Sequence, residues 1–140
     1  MKYLTRDTIG VRDRHRKRAD LRDGASVEFL GIVRGRENGK KIFHLDYEAY
    51  PPMAERVMDR LVEEAGEKWP LHRVFLRHRI GRVSAGEVSV AIRVDAPHRE
   101  EAFEACRFLI DAVKKDVPIW KREDDPLAHV SGKRGPVQRG

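Results

Sequence analysis

HREEAFEACRFLIDAVKKDVPIWKRE, residues 98–123, is the stretch whose reading decides the fold. Its apolar residues Ala102, Phe103, Cys106, Leu109, Ile110 and Val113 recur at the spacing of one helical face, which predicts an amphipathic α-helix of about four turns. Glu100, Glu101 and Glu104 stand near its start and Lys114 and Lys115 at its end, the arrangement a helix dipole favours. Pro118 sets a boundary, and Ile119 to Arg122 reads as a short extended segment. Phe103 is expected in the core, where truncation to Ala would cost about 3–5 kcal/mol. Lys114 follows Ile110 by four residues and so is expected to prolong the buried stripe. His98 and Arg99 stand at the opposite end, and Lys121 lies beyond the break.

Working outward, 140 residues suit one domain with a core of its own. The expected division is a single domain over 1–123, with a basic N-terminal segment, and an extended arm over 124–140. No apolar run approaches a membrane span, and the opening MKYLTRDTIG has no apolar signal core, so a cytoplasmic location is expected. The single cysteine excludes an internal disulfide and any metal site of several thiolates, and Cys106 falls on the helix's apolar stripe as an inert core thiol. A net charge of +6 points to an acidic ligand or partner without choosing one. The basic run at residues 12–18 reads as a solvated arm, since it lacks interleaved aromatics that could stack on bases.

Ala25 to Arg34 reads as a strand ending in a cation, and Lys41 to Tyr50 alternates with Phe43, Leu45, Tyr47 and Ala49 on one face. A polar turn joins them, which suggests a hairpin. Pro51-Pro52 opens a second helix whose stripe runs through Met53, Val57, Leu61 and Ala65. Val74 to Ile80 and Val88 to Val94 alternate around a turn at Ser84–Glu87, a second hairpin. His72 and His78 are read as structural or exposed. The order strand-strand-helix-strand-strand-helix-strand gives an α+β fold, mainly antiparallel.

The chain also resembles a known family. The matching residues are Gly24-Ala25 through Phe29-Leu30-Gly31-Ile32-Val33-Arg34, Tyr47-Glu48-Ala49-Tyr50 leading into Met53, and His78-Arg79-Ile80-Gly81 with Gly86-Glu87. Pro97-His98-Arg99, Ala102-Phe103-Glu104-Ala105, Lys114 and Pro118-Ile119-Trp120-Lys121-Arg122-Glu123 complete the set. Together, over about residues 24–123, they are similar to the large, catalytic subunit of molybdopterin synthase. The resemblance implies an α/β-hammerhead fold and a homodimer at the centre of a heterotetramer. It implies a sulfurtransferase of molybdenum cofactor biosynthesis that converts cyclic pyranopterin monophosphate to the dithiolene of molybdopterin. Sulfur would come from the C-terminal Gly-Gly thiocarboxylate of a small ubiquitin-like carrier subunit.

By the same correspondence Ile32, Val33, Arg34, His98, Arg99, Lys114, Lys121, Arg122 and Glu123 line the substrate site. Lys114 would be the principal catalytic amine, and Lys121 would stabilise developing negative charge. Arg34, His98 and Arg99 would hold phosphate and pterin. The family's C-terminal arm lends a basic residue to a neighbouring subunit, which Lys133 or Arg134 could supply. Here the chain departs from the pattern, with Ala128-His129-Val130 where the family usually has a tryptophan.

The residues themselves show no phosphate-binding glycine loop, no Ser-His-Asp order and no metal-ligand cluster, and no cofactor is expected. They do place cations at the ends of elements. Two such charges about 4 Å apart repel by roughly 4 kcal/mol at an effective dielectric of 20, so a convergent set needs solvent or a bound anion. Two alternatives stay open: a basic nucleic-acid-binding module using residues 12–18, and a non-catalytic scaffold that only docks a partner.

Overall fold

A computed structural model describes residues 1–123. In chain order the elements are β1 (Leu4–Thr5), α1 (Val11–Arg14), β2 (Ala25–Ile32), β3 (Arg36–Glu37), β4 (Lys40–Lys41), β5 (His44–Ala49) and α2 (Pro51–Lys68). Then follow β6 (Arg73–Arg79), β7 (Gly81–Ser84), β8 (Val88–Ala96), α3 (Arg99–Asp116) and β9 (Ile119–Glu123). A four-stranded sheet runs β1-β6-β8-β2, a three-stranded sheet β7-β5-β9, and β3-β4 forms a small tip. All pairings are antiparallel except β1 with β6. This is the α+β arrangement expected.

Strand β8 is the spine of the larger sheet. Ser89 to Ala96 are all buried, because α3 packs on one face and the N-terminal segment is bonded to the other. A strand buried on both faces needs partners on both edges, and β2 and β6 supply them, with Phe29 and Leu76 both opposite Ile92. The expected pairing of Val74–Ile80 with Val88–Val94 is present between β6 and β8, but β7, which pairs in the other sheet, intervenes, so the turn at Ser84–Glu87 does not close a simple hairpin. The expected first hairpin has different partners: β2 joins β8, while β5 joins β7 and β9 in the other sheet. Alternation along Lys41–Tyr50 sets Leu45 and Tyr47 inward, but Phe43 is exposed with Ile42 buried in its place, and the pattern does not show which strand lies alongside. Between β6 and β7 the chain crosses from one sheet to the other at Gly81, whose φ of +89° a side chain would strain. The buried Arg79 braces this bend by donating to the Glu87 carboxylate (3.3 Å) and the Arg82 carbonyl (3.0 Å).

Helix α3 spans five turns rather than four and buries Ala102, Ala105, Cys106, Leu109, Ile110 and Val113. Phe103 is a correction. It is 62% exposed, because the buried face is centred between Cys106 and Leu109 and small alanines, not Phe103, fill the contact near the start. Lys114 likewise does not prolong the buried stripe. It is exposed, and the apolar line passes from Val113 to Val117 instead. Helix α2 buries Ala54, Met58, Leu61 and Ala65, one residue on from the expected register at its start, and leaves Met53 at the surface. Its Glu55 accepts the backbone N–H groups of Lys2, Tyr3 and Leu4 at 2.6–3.1 Å, tying β1 to the helix.

The basic N-terminal run is not simply a solvated arm. Arg14 is buried and donates to Glu28 (2.5 Å), which His15 also contacts (2.9 Å). Arg93, beneath it on β8, donates to Asp95 (3.1 Å), to the Ser26 hydroxyl (3.0 Å) and to the Arg14 carbonyl (3.4 Å). Asp95 has no exposed surface. Such buried ions persist only when paired and hydrogen-bonded, so Arg14 serves to seat the segment on the sheet while Arg12, Arg16, Lys17 and Arg18 stay exposed.

Candidate functional site

The ends of β2 and α3 meet β5 and β9 at one hollow between the two sheets. Strand β2 brings Gly31, Ile32, Val33 and Arg34 to it, with a register irregularity at Gly31/Ile32. The carbonyl of Gly31 accepts the Ser89 hydroxyl (3.2 Å). A methyl group on Gly31 would lie 2.5 Å from Val90 Cγ1, so glycine here allows the two strands to close beside the hollow. Strand β5 contributes its inward residues Leu45 and Tyr47. Helix α3 ends at Asp116, with the Val117 N–H donating to the Val113 carbonyl, and Pro118 starts the turn into β9. That turn returns the chain along β5 with Lys121 opposite Tyr47, so Lys114 and Lys121 both line the hollow.

The resulting cavity has a volume of about 430 Å³, within the range of small-ligand sites. Among the described residues its cations are Arg34, Lys114 and Lys121, and its only carboxylate is Glu37. Arg34 reaches Glu37 at 3.4 Å with a largely exposed side chain, a contact too weak to hold the guanidinium against an anionic ligand. Beneath the lysines, a second cavity of about 20 Å³ is lined by Tyr47, His78 and apolar side chains of α3, β8 and β9. Tyr47 meets His78 edge to face (5.2 Å), and burial raises its phenol pKa. His78 is buried. Its Nδ1 donates to the Arg79 carbonyl (2.7 Å), and burial pushes its imidazole down to about 4, so it is neutral at physiological pH.

The expected residues divide into groups. Ile32, Val33, Arg34, Lys114 and Lys121 come together. Arg122 does not: it alternates with Lys121 on β9, shares the face of Trp120, and lies opposite Asp46. Glu123 ends β9 in register with Leu45. His98 and Arg99 line a separate hollow with Gly24, Pro97 and Glu100 at the start of α3. The fifteen residue steps from Arg99 to Lys114 span about 22 Å of helix, so one chain cannot bring both ends to one small ligand. Lys133 and Arg134, and the arm over 124–140, lie outside the described residues.

Tyr47, Ser89 and His78 were missed as site residues. Tyr47 and His78 carried a signal, since each breaks an apolar alternation with a polar group on the inward face. Ser89 shows its place only through its contacts. Among the described residues no group of three His, Cys, Asp or Glu side chains could hold a metal.

Fold and site together define an α+β domain with a cationic, small-ligand cavity at the junction of two sheets. The profile of the MoaE protein family matches residues 4–116. The chain therefore belongs to the MoaE family. It is 40% identical over 121 residues to a molybdopterin synthase catalytic subunit from Nostoc sp., covering 86% of this chain and 73% of the relative. Its fold is similar to molybdopterin synthase from Staphylococcus aureus, with a TM-score of 0.81, 36% identity and coverage of 86% and 88%. It is also similar to a chain in the complex of subunits 1 and 2 of molybdopterin-converting factor from Helicobacter pylori. There the TM-score is 0.63 at 25% identity, covering 73% of this chain and 66% of that one.

Proposed function

We propose that this chain is the catalytic subunit of a molybdopterin synthase, a sulfurtransferase that builds the dithiolene of molybdopterin on cyclic pyranopterin monophosphate. The observation that carries the reading is the meeting of Arg34, Lys114 and Lys121 in one cavity, formed by segments that also carry the family resemblance. An arginine fork with two ammonium groups suits a phosphorylated substrate and an anionic sulfur donor. Lys114 is the principal catalytic amine. Lys121, half-buried on the inward face of β9, stabilises negative charge as the thiocarboxylate is attacked and released.

The sulfur comes from outside the chain. Cys106 is its only cysteine, and it is buried with its thiol pushed up to about 11, which leaves almost no thiolate at neutral pH. A small carrier subunit ending in a Gly-Gly thiocarboxylate supplies it, and the complex from Helicobacter pylori is a precedent for a two-subunit assembly. His98 and Arg99 act from a second copy of the chain, since they lie at the far end of α3 from Lys114. The assembly is a homodimer carrying two carrier subunits, at work in the cytoplasm; among the described residues no helix is long and apolar enough to cross a membrane.

The test is incubation with cyclic pyranopterin monophosphate and a thiocarboxylated carrier, with dithiolene formation as the readout. Product is expected only when all three components are present. Dithiolene formed without the thiocarboxylate would overturn the external-donor reading, and its absence from the full mixture would overturn the function.

A further inference from the structure

Lys121 lines the cavity with no carboxylate within ion-pair distance among the described residues. A half-buried ammonium has three N–H donors to satisfy, and a carboxylate partner would satisfy them while cancelling the charge an anionic substrate needs. The small cavity beneath it offers another solution. Its polar lining side chains are Tyr47, His78, Lys114 and Lys121. The two lysines are donors only. A tyrosine hydroxyl can donate as well as accept, whereas a neutral imidazole keeps one nitrogen as an acceptor alone, so the acceptor taken here is His78.

The tautomer of His78 follows from its surroundings. A carbonyl oxygen only accepts, so the 2.7 Å contact with Arg79 places the imidazole proton on Nδ1. The neutral ring then carries a lone pair on Nε2. Tyr47 fixes both sides of the geometry, since its ring meets the imidazole edge to face and its backbone lies opposite Lys121 in the β5–β9 register. The cavity between them, about 20 Å³, has the size of one water.

We infer that His78 is a positioning residue for Lys121: a single water in the small cavity accepts a hydrogen bond from the Lys121 ammonium and donates one to His78 Nε2. The relay fixes the ammonium over the pocket floor through neutral partners and leaves its full positive charge for the substrate. This inference rests on the functional reading above for its catalytic consequence but not for its geometry.

Two substitutions separate this role from a purely structural one. His78→Asn keeps a donor near Nδ1 for the Arg79 carbonyl and loses the atom at Nε2. His78→Gln places an amide oxygen near Nε2 and gives up the Nδ1 donor. With dithiolene formation as the assay, His78→Asn is expected to lower kcat about tenfold or more with KM nearly unchanged, the size of a lost hydrogen bond to a charged group. His78→Gln is expected to stay within about threefold of wild type. Equal kcat for the two variants, or a larger loss in Gln than in Asn, would overturn the proposal.

A second measurement is independent of activity. The ¹⁵N resonances of the His78 ring should show an unprotonated Nε2 that accepts a hydrogen bond, and Lys121→Met should shift that resonance while leaving Nδ1 in place. An Nε2 signal indifferent to Lys121→Met would overturn the role of His78 even in a fully active synthase. Absence of dithiolene from wild-type protein would count against the functional reading alone, and the nitrogen spectrum would still decide this one.

Discussion

Lys114 and Lys115 are adjacent in sequence and differ in what they can reach. Consecutive helical residues are turned by about 100°, and only Lys114 lines the cavity. If Lys114 works as a neutral amine during turnover, guanidinium cannot replace it, because it does not deprotonate in proteins. Lys114→Arg is therefore expected to lose nearly as much kcat as Lys114→Ala, while Lys115→Ala stays within about twofold of wild type. Measuring kcat and KM separately checks this: a loss confined to KM would make Lys114 an electrostatic anchor, and normal turnover by Lys114→Ala would end its candidacy. His78 gives a second prediction at this scale. Its imidazole falls from an ordinary 6.5 to about 4 on folding, so below pH 6.5 the unfolded chain binds a proton that the folded chain refuses. Stability is lost as pH falls from about 6.5 to about 4, by roughly 3 kcal/mol for this group. Denaturant unfolding at pH 7 and pH 4.5 should show that part of the acid sensitivity missing from His78→Gln.

Among the elements, α3 shows how far periodicity carries. Its existence, its polarity of charge and its stop before Pro118 were all legible in the spacing of residues 98–123. The facing of Phe103 was not, because a stripe of 100° or more leaves its edge residues undecided until the opposing surface is known. Here that surface meets the small side chains Ala102 and Ala105. Leu109→Ala is accordingly expected to cost about 2–5 kcal/mol, and Phe103→Ala to leave stability within about 1 kcal/mol of wild type, by equilibrium unfolding. Strand β2 offers a sharper test. Gly31→Ala sets a methyl against Val90 and should cost about 1–3 kcal/mol while disturbing the cavity wall. The double substitution Gly31→Ala/Val90→Ala removes the clash and should recover part of the loss in the same unfolding experiment; an additive double variant would place the strain elsewhere.

For the molecule as a whole, the separation of His98 and Arg99 from Lys114 predicts a property that one chain cannot have. Two-fold symmetry brings unlike ends of equivalent helices together, so each pocket would take Lys114 from one copy and His98 from the other. Mixing an inactive Lys114→Ala protein with an inactive His98→Ala protein should then restore activity. In each mixed dimer one pocket is wholly native and the other carries both lesions, so statistical exchange predicts roughly a quarter of wild-type turnover. Turnover no higher than the sum of the separate variants would show that each pocket is completed within one chain.

By itself the sequence determined the class of fold, the two long helices, the inert core cysteine and the family to which the segments from Gly24 to Glu123 point. These depend on local periods and on short ordered motifs, which a linear chain displays directly. Only the tertiary structure decided that β2 and β5 belong to different sheets, that Arg14 and Arg93 share a buried network, and that Arg34 meets Lys114 and Lys121 while His98 does not. Each of those facts turns on which distant segments lie side by side. Residue spacing fixes the face a side chain takes, but the partner across that face is set by how the sheets and helices bury one another.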